Sequence, residues 1–143
     1  MQITQSNFLY AISKIRQNLF SYLEREMHEK GIHDISPSDG DILFALDRHG
    51  DLSIREIAGV TVKDKSTVSS VVKKLEQKGY VAKKKTGEDG RIVKISITQK
   101  GRKARPALWK ISSAMNEKIF SGLTEDEKSV LFEIMGKIYN NVM

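Results

Sequence analysis

Residues 52–101 read LSIREIAGVTVKDKSTVSSVVKKLEQKGYVAKKKTGEDGRIVKISITQKG, and this stretch decides the fold. Ser53 and Glu56 stand at capping-box spacing, with Leu52 placed to staple onto Ile57, so a short helix opens here. A turn over residues 60–63 follows. Asp64 is a good N-cap for a second helix, residues 65–78, which stops at Gly79. At about 100° per residue, Val68, Val71, Val72 and Leu75 line one side of that helix. The other side holds Ser66, Ser70, Lys73 and Gln77, flanked by Thr67, Ser69 and Lys74. Beyond Gly79 the helical period is lost. Tyr80-Val81-Ala82 and residues 92–97 are rich in β-formers, and the charged segment 83–91 between them carries Gly87 and Gly90 as turn residues. Two short helices joined by a tight turn, then a basic β-hairpin, give the order of a winged helix-turn-helix.

The flanks extend this unit. Residues 6–30 predict one long helix, with Phe8, Ile12, Ile15, Leu19, Leu23 and Met27 spaced by three and four. Leu9, Phe20 and Tyr22 widen its apolar face beyond what a small domain needs to cover, which points to a partner. Ser36-Pro37-Ser38-Asp39 starts another helix, with Ser36 as N-cap, Pro37 in the first helical position and Asp39 in the third. Ile42, Leu43, Ala45 and Leu46 carry it to His49-Gly50. Thr98 caps a long helix to about Phe120 that has Leu108, Ile111, Met115 and Ile119 on one face; Pro106 inside it predicts a kink or a later start. Residues 124–127 form another capping box, opening a last helix with Val130, Leu131, Ile134, Met135, Ile138 and Val142 on one side. The fold class is mainly α with a small β-hairpin wing.

The 143 residues carry 24 basic and 18 acidic side chains, a formal net charge of +6. The surplus is concentrated: residues 63–105 hold fourteen Lys and Arg against four Asp and Glu, and the rest of the chain is net acidic. A strongly basic middle third between acidic flanks suits a polyanion-binding face, the alternative being a solvated Lys-rich surface. Serine and threonine are weak helix formers, so four of them in the first half of the second short helix cost propensity without a packing gain, which favours a functional face. Small hydroxyl side chains let a helix approach bases closely, and its N-terminal dipole favours phosphate; Lys73 and Lys74 further along would meet the DNA backbone. The chain has no cysteine, which removes disulfides, thiolate catalysis and Cys-ligated zinc together. No apolar run approaches the ~20 residues of a membrane span, and the first residues lack the order of a secretory signal, so a cytoplasmic protein is expected.

The same residues resemble the MarR family of transcriptional regulators. Ala58 and Ser66-Thr67-Val68-Ser69 match its helix-turn-helix pattern, and Leu75-Glu76 with Gly79-Tyr80-Val81 match the end of its recognition helix and the first wing strand. Asp89-Gly90-Arg91 and Ile97-Thr98-Gln99-Lys100-Gly101 match its wing signature, with Ile where Leu is usual. The resemblance implies one domain, residues 1–143. Within it 36–101 would be the DNA-binding lobe, and 1–35 and 102–143 the helices of an obligate homodimer on a pseudo-palindromic double-stranded DNA operator. It implies a recognition helix whose DNA-binding residues here are Lys65, Ser66, Thr67, Ser69, Ser70, Lys73 and Lys74. It also implies that Arg91 reads the minor groove, that Asp89 orients it, and that Lys83, Lys84 and Lys85 meet phosphates. Two positions depart from the pattern: Val62 stands where the turn often has Gly, and Ser70 where Arg is frequent, which shifts weight from base readout to phosphate contacts.

Other chemistry finds little support in the residues. His28, His33 and His49 share no element and no i, i+4 spacing, so no metal site is expected. Asp39, Asp41 and Asp47 read as caps and solvated surface. No Gly-rich phosphate loop or Ser/His/Asp order is present, so neither an enzyme nor a cofactor is expected. Relatives often bind small aromatic or lipophilic effectors where the dimer helices meet the winged helix. Tyr10, Phe20, Tyr22, Phe44 and Trp109 are the aromatics available, although core or dimer seam explains them as well. Two function classes remain: a dimeric DNA-binding regulator, a repressor by resemblance, and a winged-helix module for a protein or RNA partner. Only the first discriminates between DNA sequences.

Overall fold

Side chains that cap helices set where most of them begin. In the computed structural model, which describes residues 1–143, a 3-10 turn (Gln5–Asn7) leads into α1 (Phe8–Glu29). In front of α2 (Pro37–His49) the Ser36 N–H donates to Asp39 Oδ2 at 2.7 Å. Ser53 and Glu56 close the box before α3 (Ile54–Thr61): Ser53 N–H donates to Glu56 Oε2 at 2.7 Å, and Glu56 N–H to Ser53 Oγ at 3.2 Å. Asp64 caps α4 (Lys65–Gln77) by accepting the Thr67 N–H at 2.7 Å. Thr98 Oγ1 accepts the Gly101 N–H at 3.2 Å at the head of α5 (Gln99–Phe120), and Thr124 caps α6 (Glu125–Val142).

The wing is a two-stranded antiparallel sheet in which β1 (Val81–Thr86) pairs with β2 (Ile92–Ile97), from Val81↔Ile97 to Thr86↔Ile92. Two expectations are corrected here. Lys83, Lys84 and Lys85 are strand residues opposite Ile95, Lys94 and Val93, not part of a long charged loop, which shrinks to residues 87–91. Lysine has little β-propensity of its own, but pairing with β-branched neighbours on an exposed ribbon outweighs that. Second, α5 does not start late: the helix is continuous through Pro106, because Thr98 and the close seat of Gly101 fix its first turn upstream.

The chain divides into two compact units, residues 1–111 and 112–143. In the first, Ile42, Leu46, Ile57, Val68, Val72, Leu75 and Ile95 are fully buried, joined by Met27 from α1 and by Leu108 and Ile111 from α5. Leu52 exchanges both backbone hydrogen bonds with Ile95, at 3.1 and 2.7 Å, which ties the base of the wing to the start of α3. The apolar stripe of α1 is largely uncovered: only Ala11 and Met27 are buried, while Ile12 and Ile15 lie exposed. In the second unit Phe120 and Phe132 meet edge to face at 5.5 Å, yet α6 buries no residue, and Val130 and Ile134 are 54% and 49% exposed. No helix is long and apolar enough to cross a membrane.

Candidate nucleic-acid interface

α4 packs on the core through Val68, Val72 and Leu75, with Val71 half-buried. That burial fixes the rotation of the helix, so Ser66, Ser69, Ser70, Lys73 and Gln77 face outward and are exposed. The turn entering α4 is tight because Val62 adopts φ 53° and ψ 40°, the left-handed region that glycine occupies at low cost. The departure from the glycine pattern therefore leaves the backbone course intact and loads strain onto a β-branched residue.

Hydrogen bonding separates the outward donors into two groups. Ser66 Oγ donates to Asp64 Oδ1 at 2.6 Å, and Thr67 Oγ1 to Asp64 Oδ2 at 2.7 Å. The Ser66 hydroxyl, then the Thr67 N–H and hydroxyl, hold the Asp64 carboxyl well below the usual carboxylate range. Since a hydroxyl has one hydrogen to give, Ser66 and Thr67 face outward as acceptors. The chain's own Asp64 carboxylate thus caps the Thr67 N–H at the N-terminus of α4. Ser69, Ser70, Lys65, Lys73 and Gln77 keep their donors.

The lysines also differ from one another. The Lys74 ammonium lies 2.5 Å from Asp39 Oδ2, and the Asp39 side chain is only 4% exposed, so Lys74 is held against α2. Lys83 stands 3.9 Å from Glu76 and Lys84 3.4 Å from Asp51, both more than half exposed. Pairs of that kind contribute about 0–1 kcal/mol and yield readily to a phosphate. Lys85, in the same strand, has no partner. At the wing tip Arg91 Nε lies 3.0 Å from Asp89 Oδ2, its N–H donates to Asp89 Oδ1 at 3.2 Å, and its side chain is 86% exposed. Asp89 thus steers a guanidinium that projects into solvent.

Of the histidines, His28 and His33 come together across the end of α1, their Nδ1 atoms 3.1 Å apart, although their spacing suggested no common place; His49 ends α2. Among the aromatics, Phe44 and Trp109 meet edge to face at 5.2 Å, and Trp109 Nε1 donates to Asp47 at 3.2 Å. Phe20 and Tyr22 are instead covered by Arg16 and Arg25 of their own helix, and Tyr10 is exposed. Sequence reasoning found Asp64 as the N-cap but not its hold on the Ser66 and Thr67 hydroxyls; a capping aspartate with Ser and Thr two and three residues on was the available signal.

The sequence model of the MarR family matches residues 33–92. Among curated proteins, the chain is 30% identical over 139 residues to the uncharacterized HTH-type transcriptional regulator YwaE of Bacillus subtilis, covering 94% of this chain and 81% of the relative. It is 26% identical over 133 residues to the HTH-type transcriptional regulator SarZ of Staphylococcus haemolyticus, covering 93% and 85%. Among solved structures, a MarR/EmrR family transcriptional regulator from Acinetobacter superposes with a TM-score of 0.80 at 26% identity over 98% of both chains. The organohalide-sensing regulator RdhR in its 2,4-dichlorophenol-bound form superposes at 0.82 with 20% identity, over 98% of this chain and 82% of that one, a likeness of fold.

Proposed function

The chain belongs to the MarR family of transcriptional regulators, and on that premise we propose that it is a homodimeric repressor reading a pseudo-palindromic operator. Each subunit lays α4 in the major groove, with Ser69 and Ser70 toward base edges and Lys65 and Lys73 toward phosphates. The wing follows the backbone with Lys83, Lys84 and Lys85 and sets Arg91 in the minor groove, where a narrow A·T-rich segment concentrates negative potential. The observation that carries this reading is the pairing of an outward, donor-bearing α4 face with an Arg91 that Asp89 already orients in solvent.

The uncovered apolar faces of α1 and α6 support a two-fold partner. We assign residues 36–101 to the DNA-binding lobe and 1–35 with 102–143 to the dimer, whose interface should bury at least ~2,000 Å². The 2,4-dichlorophenol-bound form of the organohalide-sensing regulator RdhR supports release by a small aromatic or lipophilic effector.

Selection of bound fragments from genomic DNA, followed by footprinting, tests the proposal. A two-fold footprint with half-sites about one helical turn apart is expected. Arg91→Ala should weaken it by about 1–3 kcal/mol, with the loss concentrated at the operator's outer edges. Absence of any preferred sequence, or a folded monomer in light scattering at low micromolar protein, rejects it.

A further inference from the structure

Asp34 lies in the linker between α1 and α2, and three elements of the DNA-binding lobe meet at its carboxylate. Oδ1 accepts the Tyr80 hydroxyl at 2.7 Å, and Oδ2 accepts Lys100 Nζ at 3.0 Å. Tyr80 is the residue between α4 and β1, and Lys100 stands in the first turn of α5. Lys100 Nζ also donates to the Lys78 carbonyl at the C-cap of α4 at 2.7 Å and sits 4.3 Å from the centre of the Tyr80 ring. Tyr80 in turn donates its N–H to the Leu75 carbonyl at 2.9 Å and accepts the Thr98 N–H at 3.0 Å. The end of the recognition helix, the root of the wing and the head of α5 are thereby fastened to one acidic side chain. Burial raises the Asp34 carboxyl, but the bonds from Tyr80 and Lys100 outweigh it, so the net shift is downward and the group is held as the anion.

On its other side the linker is fixed to α1. Ile32 N–H donates to the Met27 carbonyl at 2.9 Å, and the His33 ring meets His28. Apart from these contacts α1 has little purchase, since only Ala11 and Met27 of its side chains are buried. Apolar packing fixes separation but tolerates rotation. Two hydrogen bonds from one carboxylate to two different elements fix the angle as well.

We propose that Asp34 is a positioning residue for operator recognition: through Tyr80 and Lys100 it sets the angle of the recognition helix and wing to α1. It touches no DNA. This rests on the reading of the chain as a dimeric operator-binding protein, in which the angle enters twice about the two-fold axis and so determines which half-site spacing is accepted.

The test uses the full-length protein and three duplexes: the one recovered by wild-type selection, the same duplex with one base pair inserted at its centre, and a scrambled duplex. Tyr80→Phe removes only the hydroxyl that Asp34 accepts, and Asp34→Asn removes the charge facing Lys100. Each should lower affinity for the selected duplex about tenfold and leave the scrambled duplex within about twofold. Each should also shrink the penalty for the inserted base pair, which a purely structural role would not do. An unchanged spacing penalty, or equal loss on selected and scrambled duplexes, overturns the proposal; if Asp34→Asn does not fold, Tyr80→Phe alone decides. Should wild type itself prefer no duplex, the operator-binding reading falls with it. Should wild type discriminate and Tyr80→Phe match it, only the role of Asp34 falls.

Discussion

Gly101→Ala should be among the most damaging single-methyl substitutions in the chain. A Cβ on Gly101 would lie 2.5 Å from the Tyr80 carbonyl oxygen and 2.6 Å from Ile97 Cγ1. The Ile97 side chain has some freedom to move; the Tyr80 carbonyl has little, because it accepts the Thr98 N–H at 3.0 Å. Overpacking of this kind costs ~1–3 kcal/mol, and displacing the carbonyl from its donor costs ~1–3 more. Alanine's better helix propensity returns about 1 kcal/mol. The net expectation is a loss of about 1–5 kcal/mol. Gly59 is the control: it also lies inside a helix, α3, but a Cβ there meets nothing within 4 Å, so Gly59→Ala should stabilise by up to ~1 kcal/mol. Urea unfolding followed by far-UV circular dichroism, at one fixed protein concentration so that any contribution of self-association is held constant, measures both. If Gly101→Ala gains stability as Gly59→Ala does, the close approach is not what demands glycine.

Val62→Gly removes a β-branched residue from the left-handed region; strain of about 1–2 kcal/mol outweighs glycine's extra entropy of ~0.5–1, so unfolding should shift to higher urea. A lower midpoint would show that Val62 packs usefully. Lys74→Ala and Lys73→Ala should part company. The first strands the buried Asp39 carboxylate and costs about 1–2 kcal/mol of stability, discounted because Lys74 is 44% exposed; the second leaves stability alone and lowers the salt dependence of DNA binding by about one ion per subunit. Equal effects of the two on stability would refute the distinction. The hydrogen bond from Lys94, then those from Ser53, bring Glu56 down from 4.5 to about 2 in the folded chain. Its stabilising contribution is therefore complete above pH 4.5 and lost as pH falls toward 2, so Glu56→Gln should flatten the acid limb of a stability–pH profile over that window. An unchanged acid limb would assign the slope to other carboxylates.

The elements that local chemistry controls were legible, and those set by distant partners were not. Capping boxes at Ser53–Glu56 and Thr124–Glu127 announce their helices because both partners lie within four residues. The apolar side of α4 follows from the helical period, so its outward face follows as well. The extent of β1 did not, because Lys83, Lys84 and Lys85 become strand only through their partners Ile95, Lys94 and Val93, which no local propensity reports. Lys74 looked like its neighbour Lys73 for the same reason: its partner Asp39 stands thirty-five residues away. Gly101 belonged to a recognisable pattern, yet only the Tyr80 carbonyl beneath it explains why the pattern requires glycine.

The same dependence on distant partners recasts the charge surplus of residues 63–105. Eight of its fourteen cations are paired, and six of the acids that pair them, Asp34, Asp39, Asp41, Asp47, Asp51 and Glu56, come from the acidic segment before it. Folding therefore cancels much of the positive field that a count along the chain suggests. The cancellation is selective. Lys74, Lys94 and Lys100 each bind an acid on another element, and a phosphate would have to leave that acid unpaired to capture them; for Asp39, 4% exposed, the penalty is that of a buried lone charge. Lys65 and Lys73 on α4 and Lys85 on the wing have no such tie, and Arg91 keeps its partner while remaining 86% exposed. Cations that would otherwise bind any polyanion are spent on fixing the geometry of the fold; of the six left without an acid, Lys65 and Lys73 lie on α4 and Lys85 on β1, while Lys78 follows α4 and Arg102 and Lys103 stand on α5. Such a division favours binding that depends on fit to a particular duplex over binding that depends on charge alone.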